Sequence, residues 1–343
     1  MRLALLYLIR WLSYCVNIDE IWVESDMRIV LVCPPKVFAS ALTGVIDILN
    51  VANQVLGRSF FSWKIAALTS ELEVVSSQGL KIQCDSTLAD LQDYDAMIWV
   101  GAQYSGHSAL WQQCMQVKEA LRGLNDVHRH CRFHLAGCCG VAYLASTGLL
   151  DKHQITASWW LAPFFAKYFP HIDFKSDEIV FRSNDVYTAG AAHSYLHLIL
   201  TFISDRVGKE VAEQIASWLA IPQKFSNQNQ FIRLSVLQDH SDKQVKAVQR
   251  LIDENLQDSL TLKRLAESVY MSERTLIRRF KQHVGLTPID YVRLVRLEKS
   301  RYLLASSELS QEQIAYQVGY QDPQALARQF KKHFQMSMKA FRE

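Results

Sequence analysis

Ile314-Ala-Tyr-Gln-Val-Gly-Tyr-Gln-Asp-Pro-Gln-Ala-Leu-Ala-Arg-Gln-Phe-Lys-Lys-His-Phe334 is the stretch on which the reading of this 343-residue chain turns. It has the punctuation of a short helix, a tight turn and a second helix. Asp322 can cap the second helix, and Pro323 suits its first position because the N–H it lacks has no helical partner there. The unit is a repeat. Leu326-x-Arg328-x-Phe330-Lys331-x-His333 matches Leu276-x-Arg278-x-Phe280-Lys281-x-His283 at an offset of fifty, and Ile314-Ala315-x-x-Val318 matches Leu265-Ala266-x-x-Val269 at forty-nine. Two copies of one supersecondary unit say more than either alone.

Working outward, each first helix has its own start signal. Thr261 is an N-cap with Leu260 and Leu265 as a hydrophobic staple; Ser310 and Gln313 have capping-box spacing, with Leu309 and Ile314 as the staple. Small Ala266 and Ala315 let two helices approach closely. Each second helix buries residues at i, i+4 (Leu276 and Phe280, Leu326 and Phe330). The opposite faces carry Arg274, Ile277, Arg278 and Lys281, then Gln324, Ala327, Arg328 and Lys331, each set one exposed stripe. Arg for guanine, Gln for adenine and an aliphatic group for the thymine methyl suit major-groove base edges. A single stripe of this kind is ordinarily a solvated helix face; two matching stripes in a basic region point to double-stranded DNA.

The charge distribution agrees. The net charge is +3, yet residues 242–343 hold 18 Lys+Arg against 12 Asp+Glu, while the rest holds 19 against 22. A basic module joined to a mildly acidic one fits a nucleic-acid binder with a separate regulatory domain. Seven cysteines (Cys15, Cys33, Cys84, Cys114, Cys131, Cys138, Cys139) lack metal-ligand spacing and read as reduced thiols of a cytoplasmic protein. No metal and no cofactor is expected; His193 and His197 have i, i+4 spacing but suggest no third ligand. Leu3–Val16 is too short to span a membrane, and residues 1–26 read as an extension outside the fold, the first strand starting after Met27.

From Met27 to about Gln223, short apolar strands alternate with helical patterns, which predicts a parallel sheet between helices. Strands are expected at Ile29–Cys33, Ser62–Leu68, Tyr94–Val100, Arg132–Ala136 and Val186–Ala189. Helices are expected at Gly44–Leu56, Ser108–Leu124, Trp159–Tyr168, Ser194–Val207 and Lys209–Leu219. The expected division is an α/β domain over 27–223, a linker over 224–240 containing the polar run Ser226-Asn-Gln-Asn-Gln230, and an all-α domain over 241–343 with two helix-turn-helix subdomains. Within the α/β part, the strand ending at Ala136 runs into Gly137-Cys138-Cys139-Gly140, which sets Cys138 at a strand-to-helix turn. Small residues relieve the crowding of such an elbow, and a helix N-terminus lowers a thiol's pKa.

These residues carry a family resemblance. Val245–Arg342 resembles the AraC/XylS DNA-binding domain, which implies two helix-turn-helix subdomains joined by a central helix, here about Pro288–Ser306, entering successive major grooves. Gln324 and Leu326 stand where that family commonly has Ser and Phe, and Gln335 and Met338 where it has Gly and Pro; the departures bear on the second unit's base preference and last turn. Residues 28–220 resemble the PfpI-like, glutamine-amidotransferase-like flavodoxin-like sandwich of GlxA-type AraC regulators, best over Cys138–Asp151 and Asp185–Thr188. The resemblance implies a histidine after the next strand, in a His-Trp pair. Here the pair is Ser158-Trp159, and the family's glutamate falls at Ala41. A cysteine without a base and an orienting carboxylate lacks the activation a hydrolase needs, so no catalytic residue and no enzyme activity is expected.

What remains is a pocket at the mouth of the sheet, expected to gather Gln103, Tyr104, Cys138, Ser158, Trp159 and His193. Trp159, Trp160 and Tyr104 have the chemistry to cage a cation, and the resemblance implies a small-molecule effector, amino-acid-derived or a quaternary amine. The plainer reading makes these aromatics core. The leading function is a metabolite-responsive transcription regulator, a homodimer through its α/β domain, with double-stranded DNA as partner and RNA polymerase as a further candidate. The alternatives are a PfpI-like cysteine hydrolase or amidase with a helical C-terminal module, and an interaction scaffold.

Overall fold

The computed structural model describes residues 26–90, 94–121, 131–222, 228 and 234–342. The expected extension over 1–26 therefore lies outside the described residues apart from Asp26. In the first half the chain runs β1 (Met27–Cys33), α1 (Ala39–Leu56), β2 (Phe61–Ala67), β3 (Glu73–Val75), β4 (Lys81–Gln83), β5 (Ser86–Thr87), β6 (Ala96–Trp99) and α2 (His107–Ala120). It continues through β7 (Phe133–Gly137), α3 (Gly140–Ser146), β8 (Gln154–Ile155), α4 (Ala162–Tyr168), β9 (Asp173–Phe174), β10 (Val180–Ser183), β11 (Val186–Ala189), α5 (Tyr195–Val207) and α6 (Lys209–Trp218).

Seven strands form one sheet in the order β10-β11-β7-β6-β1-β2-β5, parallel throughout except for the antiparallel edge strand β10. Strand β1 explains the layering. It is an almost continuous apolar run, as a parallel strand covered on both faces must be. Ile29, Leu31 and Cys33 point into a core with α1, α5 and α6, whereas Val30 and Val32 point into a second core with α2, α3 and α4. Helix α1 is long and apolar enough to cross a membrane by length and composition, but its buried residues pack in the first of these cores.

The structure extends the expected helix over Gly44–Leu56 back to Ala39 and divides the one over Trp159–Tyr168 into a 3₁₀ turn, Trp159–Leu161, followed by α4 with Pro163 in its first turn. Strands β3, β4, β5, β8, β9 and β10 are two to four residues long and half-exposed in the main. Such strands are too short to show an alternation of period two.

The second half is helical: α7 (Leu234–Leu237), α8 (Lys243–Glu254), α9 (Leu262–Glu267), α10 (Glu273–Val284), α11 (Pro288–Ser306), α12 (Gln311–Gln317), α13 (Pro323–Phe334) and α14 (Met338–Arg342). The caps read from sequence are formed. Thr261 accepts from the Arg264 amide, Ser310 and Gln313 close a capping box, and Asp322 accepts from the amides of Gln324 and Ala325. At the end of α13, Gln335 adopts the left-handed conformation (φ 59°) that Gly285 adopts at the end of α10. The departure from glycine thus keeps the turn, with the strain a side chain brings there.

Each helix-turn-helix unit has its own core, one around Leu265, Leu276 and Phe280, the other around Ile314, Leu326 and Phe330, with α11 contributing to both. Within the stretch expected as linker, Leu234–Leu237 is helical, with Leu237 in the first of these cores, and Gln228 is buried in the α/β half.

His333 is buried in the second unit, and its Nε2 has no hydrogen-bond partner among the described residues. Burial, with a smaller contribution from the Arg301 charge, pushes its pKa down to about 4. A histidine whose folded pKa lies below its unfolded value adds stability above the unfolded pKa, and that stability is lost as pH falls from about 6.5 to about 4. Over that window the second unit is expected to lose up to about 3 kcal/mol. Urea titrations at pH 7 and pH 5 check this: the loss should shrink in His333→Asn, and an equal loss in both proteins contradicts it.

Candidate functional site

The two expected reading stripes lie on α10 and α13 in equivalent settings. Arg274, Arg278 and Lys281 on α10 are exposed and Ile277 is half-buried; Gln324, Arg328 and Lys331 on α13 are exposed and Ala327 is half-buried. The same pattern follows because Leu276 and Phe280, or Leu326 and Phe330, tie each helix to its core by the opposite face. Helix α10 is fixed further by Arg279, which sequence reading passed over. Its guanidinium donates to Asp242 Oδ2 at 3.0 and 2.5 Å, and the His283 ring stands 3.2 Å from the same oxygen.

Asp242 is also the N-cap of α8, accepting from the Val245 amide at 2.9 Å. Burial alone would raise its carboxyl pKa; the Val245 amide and the Arg279 guanidinium bring it below the usual value. The second stripe has an ion pair of its own. Arg328 pairs with Asp322 at 3.3 Å, an exposed contact it must exchange to meet another anion.

The C-terminal end of α10 meets the α/β half. Helix α10 packs directly against α4, and Gly285 at its C-terminus lies so close that an added Cβ would stand 2.6 Å from Ala162 Cβ. Trp159 joins the buried cluster of the first unit with Leu237, Val284 and Tyr291. The Asp173 carboxyl is held below its usual range, chiefly by the hydrogen bond from Lys175, with the charge of Lys281 contributing.

The residues expected in one pocket occupy separate places. Cys138 takes a left-handed conformation (φ 53°) at the β7–α3 turn and is buried, with Ser158 Oγ 3.2 Å from its sulfur. The thiol of Cys139, and then that hydroxyl, lower the Cys138 pKa against the opposing effect of burial. Gln103 and His193 are exposed, and neither lines the cavity that Tyr104 and Trp159 border. Ala41 sits buried in α1.

Tyr104 and Trp159 instead line a space of about 620 Å³ between the halves, with Trp160, His107 and Pro163 on one side and Leu237, Asp239, His283 and Val284 on the other. Burial pushes the Tyr104 hydroxyl up to about 12 and lowers His107, so both are neutral near pH 7. Of the two readings the sequence left open for these aromatics, cage or core, Trp159 is buried against the first unit while still bordering this space, and Trp160 is the half-exposed tryptophan. Asp239, His107 and His283 were missed because their only signal is proximity across two domains.

Comparison with known proteins follows the same division. The DJ-1/PfpI family matches residues 28–205 and a helix-turn-helix domain matches residues 265–343. The HTH-type transcriptional regulator GlxA of Rhizobium meliloti (strain 1021) is 28% identical over 301 residues, covering 83% of this chain and 86% of its own. GbdR of Pseudomonas aeruginosa, also an HTH-type transcriptional regulator, is 23% identical over 296 residues (86% and 78%), and CdhR of that species 24% over 307 residues (88% of each). The chain belongs to the DJ-1/PfpI family, and with its second half it is an AraC-family helix-turn-helix transcriptional regulator carrying a DJ-1/PfpI N-terminal domain.

Proposed function

We propose that this DNA-binding transcription regulator responds to a small metabolite that fills the space between its halves, and that its α/β domain is catalytically silent. The observation that carries the reading is the packing of α4 and Trp159 on the first helix-turn-helix unit beside the cavity lined by Tyr104, Trp160 and Asp239. Helix α4 packs at the C-terminal end of α10, beside the exposed stripe, so a duplex laid along that stripe would run against the α/β half unless the two helices separate. A ligand that binds one arrangement better shifts the balance between them.

Aromatic rings with one carboxylate suit a cationic head group, which supports an amino-acid-derived or quaternary-amine effector. The regulator would act on the chromosome in the cytoplasm, as a homodimer and with RNA polymerase as a partner. Gln103 and His193 have no part in the effector site on this reading.

Silence follows from the elbow. The Cys138 thiol faces a serine hydroxyl, which is no base at neutral pH and cannot take the proton a nucleophilic thiol must lose. Cys138→Ala is expected to leave any amidase background unchanged; a turnover present in the wild type and absent from this variant would restore the hydrolase reading.

Operator titration tests the interface. If Arg278 and Arg328 read bases, each alanine substitution costs about 1–3 kcal/mol and relaxes preference at its own base, with Arg328 the weaker because it gives up Asp322. Lys281→Ala and Lys331→Ala should weaken all sequences alike and reduce the salt slope by about one. An Arg278→Ala protein that keeps its sequence preference and changes only its salt slope overturns the base-reading role. For the effector, a panel of quaternary amines should alter operator affinity in the wild type and lose about tenfold in potency in Trp160→Ala, the scale of a desolvated cation–π contact. Equal potency in both proteins moves the effector elsewhere.

A further inference from the structure

Gln228 comes from the polar run between the two halves, yet it is fully buried in the α/β domain. Its carboxamide nitrogen donates to Glu178 O at 2.8 Å and Ala157 O at 2.9 Å, with Thr156 Oγ1 at 3.3 Å; its carboxamide oxygen accepts from the Ala191 amide at 3.2 Å. Its own backbone amide donates to Asp177 O at 2.6 Å. The Thr156 hydroxyl gives its proton to Glu178 O, which leaves its oxygen to accept. Gly190 closes the cradle, since a Cβ there would lie 2.2 Å from Gln228 Cδ.

The donor and acceptor pattern selects one group. Acceptors converge on the –NH₂, and one N–H meets the oxygen, so a primary carboxamide satisfies both ends. A carboxylate would set an anionic oxygen against carbonyls, and an ammonium would leave the Ala191 amide without its acceptor. The cradle shares a wall with the cysteine elbow, because Gly190 O accepts from the Cys138 amide at 3.0 Å and from Ser158 Oγ at 3.4 Å.

We infer that residues 156–157, 176–178 and 190–191 form a carboxamide-binding site that the chain fills with its own Gln228, clamping the connection between the domains, and that a free primary carboxamide competes for it. Seating Gln228 limits where the helical half begins, because only a few residues separate it from Leu234 in α7, a span of roughly 20 Å at most. The site is distinct from the cavity proposed for the effector and stands or falls without it.

Trypsin cleavage after Lys224 and Arg233, followed on the full chain without DNA, reads the clamp. Gln228→Ala and the isosteric Gln228→Glu should each be cut about tenfold faster than wild type, as expected for the net loss of one or two hydrogen bonds. Propionamide, which carries the glutamine side chain's end group, should act with opposite signs: it slows cleavage of Gln228→Ala by filling the vacated cradle and speeds cleavage of wild type by displacing Gln228. Propionate should do neither. Wild-type and variant proteins cut at one rate would overturn the clamp, and equal effects of propionamide and propionate, or none from either, would overturn carboxamide selection. Should Gln228→Ala fail to fold, the wild-type arm with both solutes still decides. Because neither DNA nor effector is present, the outcome is independent of the operator and cavity experiments.

Discussion

The contact between α4 and α10 is the constraint on which the arrangement of this regulator depends. Ala162 and Pro163 reach the C-terminal end of α10 at a glycine, and a side chain at that point would hold the helices apart. Trp159, one turn earlier, adds its side chain to the buried cluster of the first helix-turn-helix unit. The first helix-turn-helix unit is therefore packed on two fronts: by α8 and α11 from within, and by the α/β domain from without. The second unit has its own core, and a cavity of about 280 Å³ lined by Gln329, Lys332 and His333 separates it from Ser176 and Asp177 of the α/β domain. The two halves of a near-symmetric repeat thus stand in unequal surroundings.

Inside the α/β domain, the elbow places a cysteine against a serine. The β7–α3 turn holds Cys138 at positive φ, and the thiol is lowered by its hydrogen-bond neighbours. The partner 3.2 Å away is Ser158, and the adjoining cradle is closed by Gln228.

Much of this was legible in the sequence where local rules suffice. The caps at Thr261, Ser310 and Asp322, the i, i+4 pairs Leu276/Phe280 and Leu326/Phe330, and the apolar strands β1, β6 and β7 state their structure within a few residues. The elbow at Cys138 and the serine facing it were also readable, the second through family resemblance. What escaped depends on contacts between residues far apart in the chain. Trp159 looked like a pocket residue because nothing local says that another domain covers it. Gln228 looked like linker because a polar run carries no sign that one of its members is buried. Asp242 and Arg279 are thirty-seven residues apart, and their pairing follows only from the packing of α8 on α10.

The account holds that the α/β domain and DNA compete for α10. Spin labels at the exposed positions Ala166 on α4 and Gln282 on α10 would report the separation of these helices in the free protein and in its operator complex. A groove about 12 Å wide must admit α10, so the account predicts a short, narrow distance distribution in the free protein and an increase of about 10 Å or more with operator bound. An unchanged short distance in a complex whose Arg278 contact is intact would contradict it.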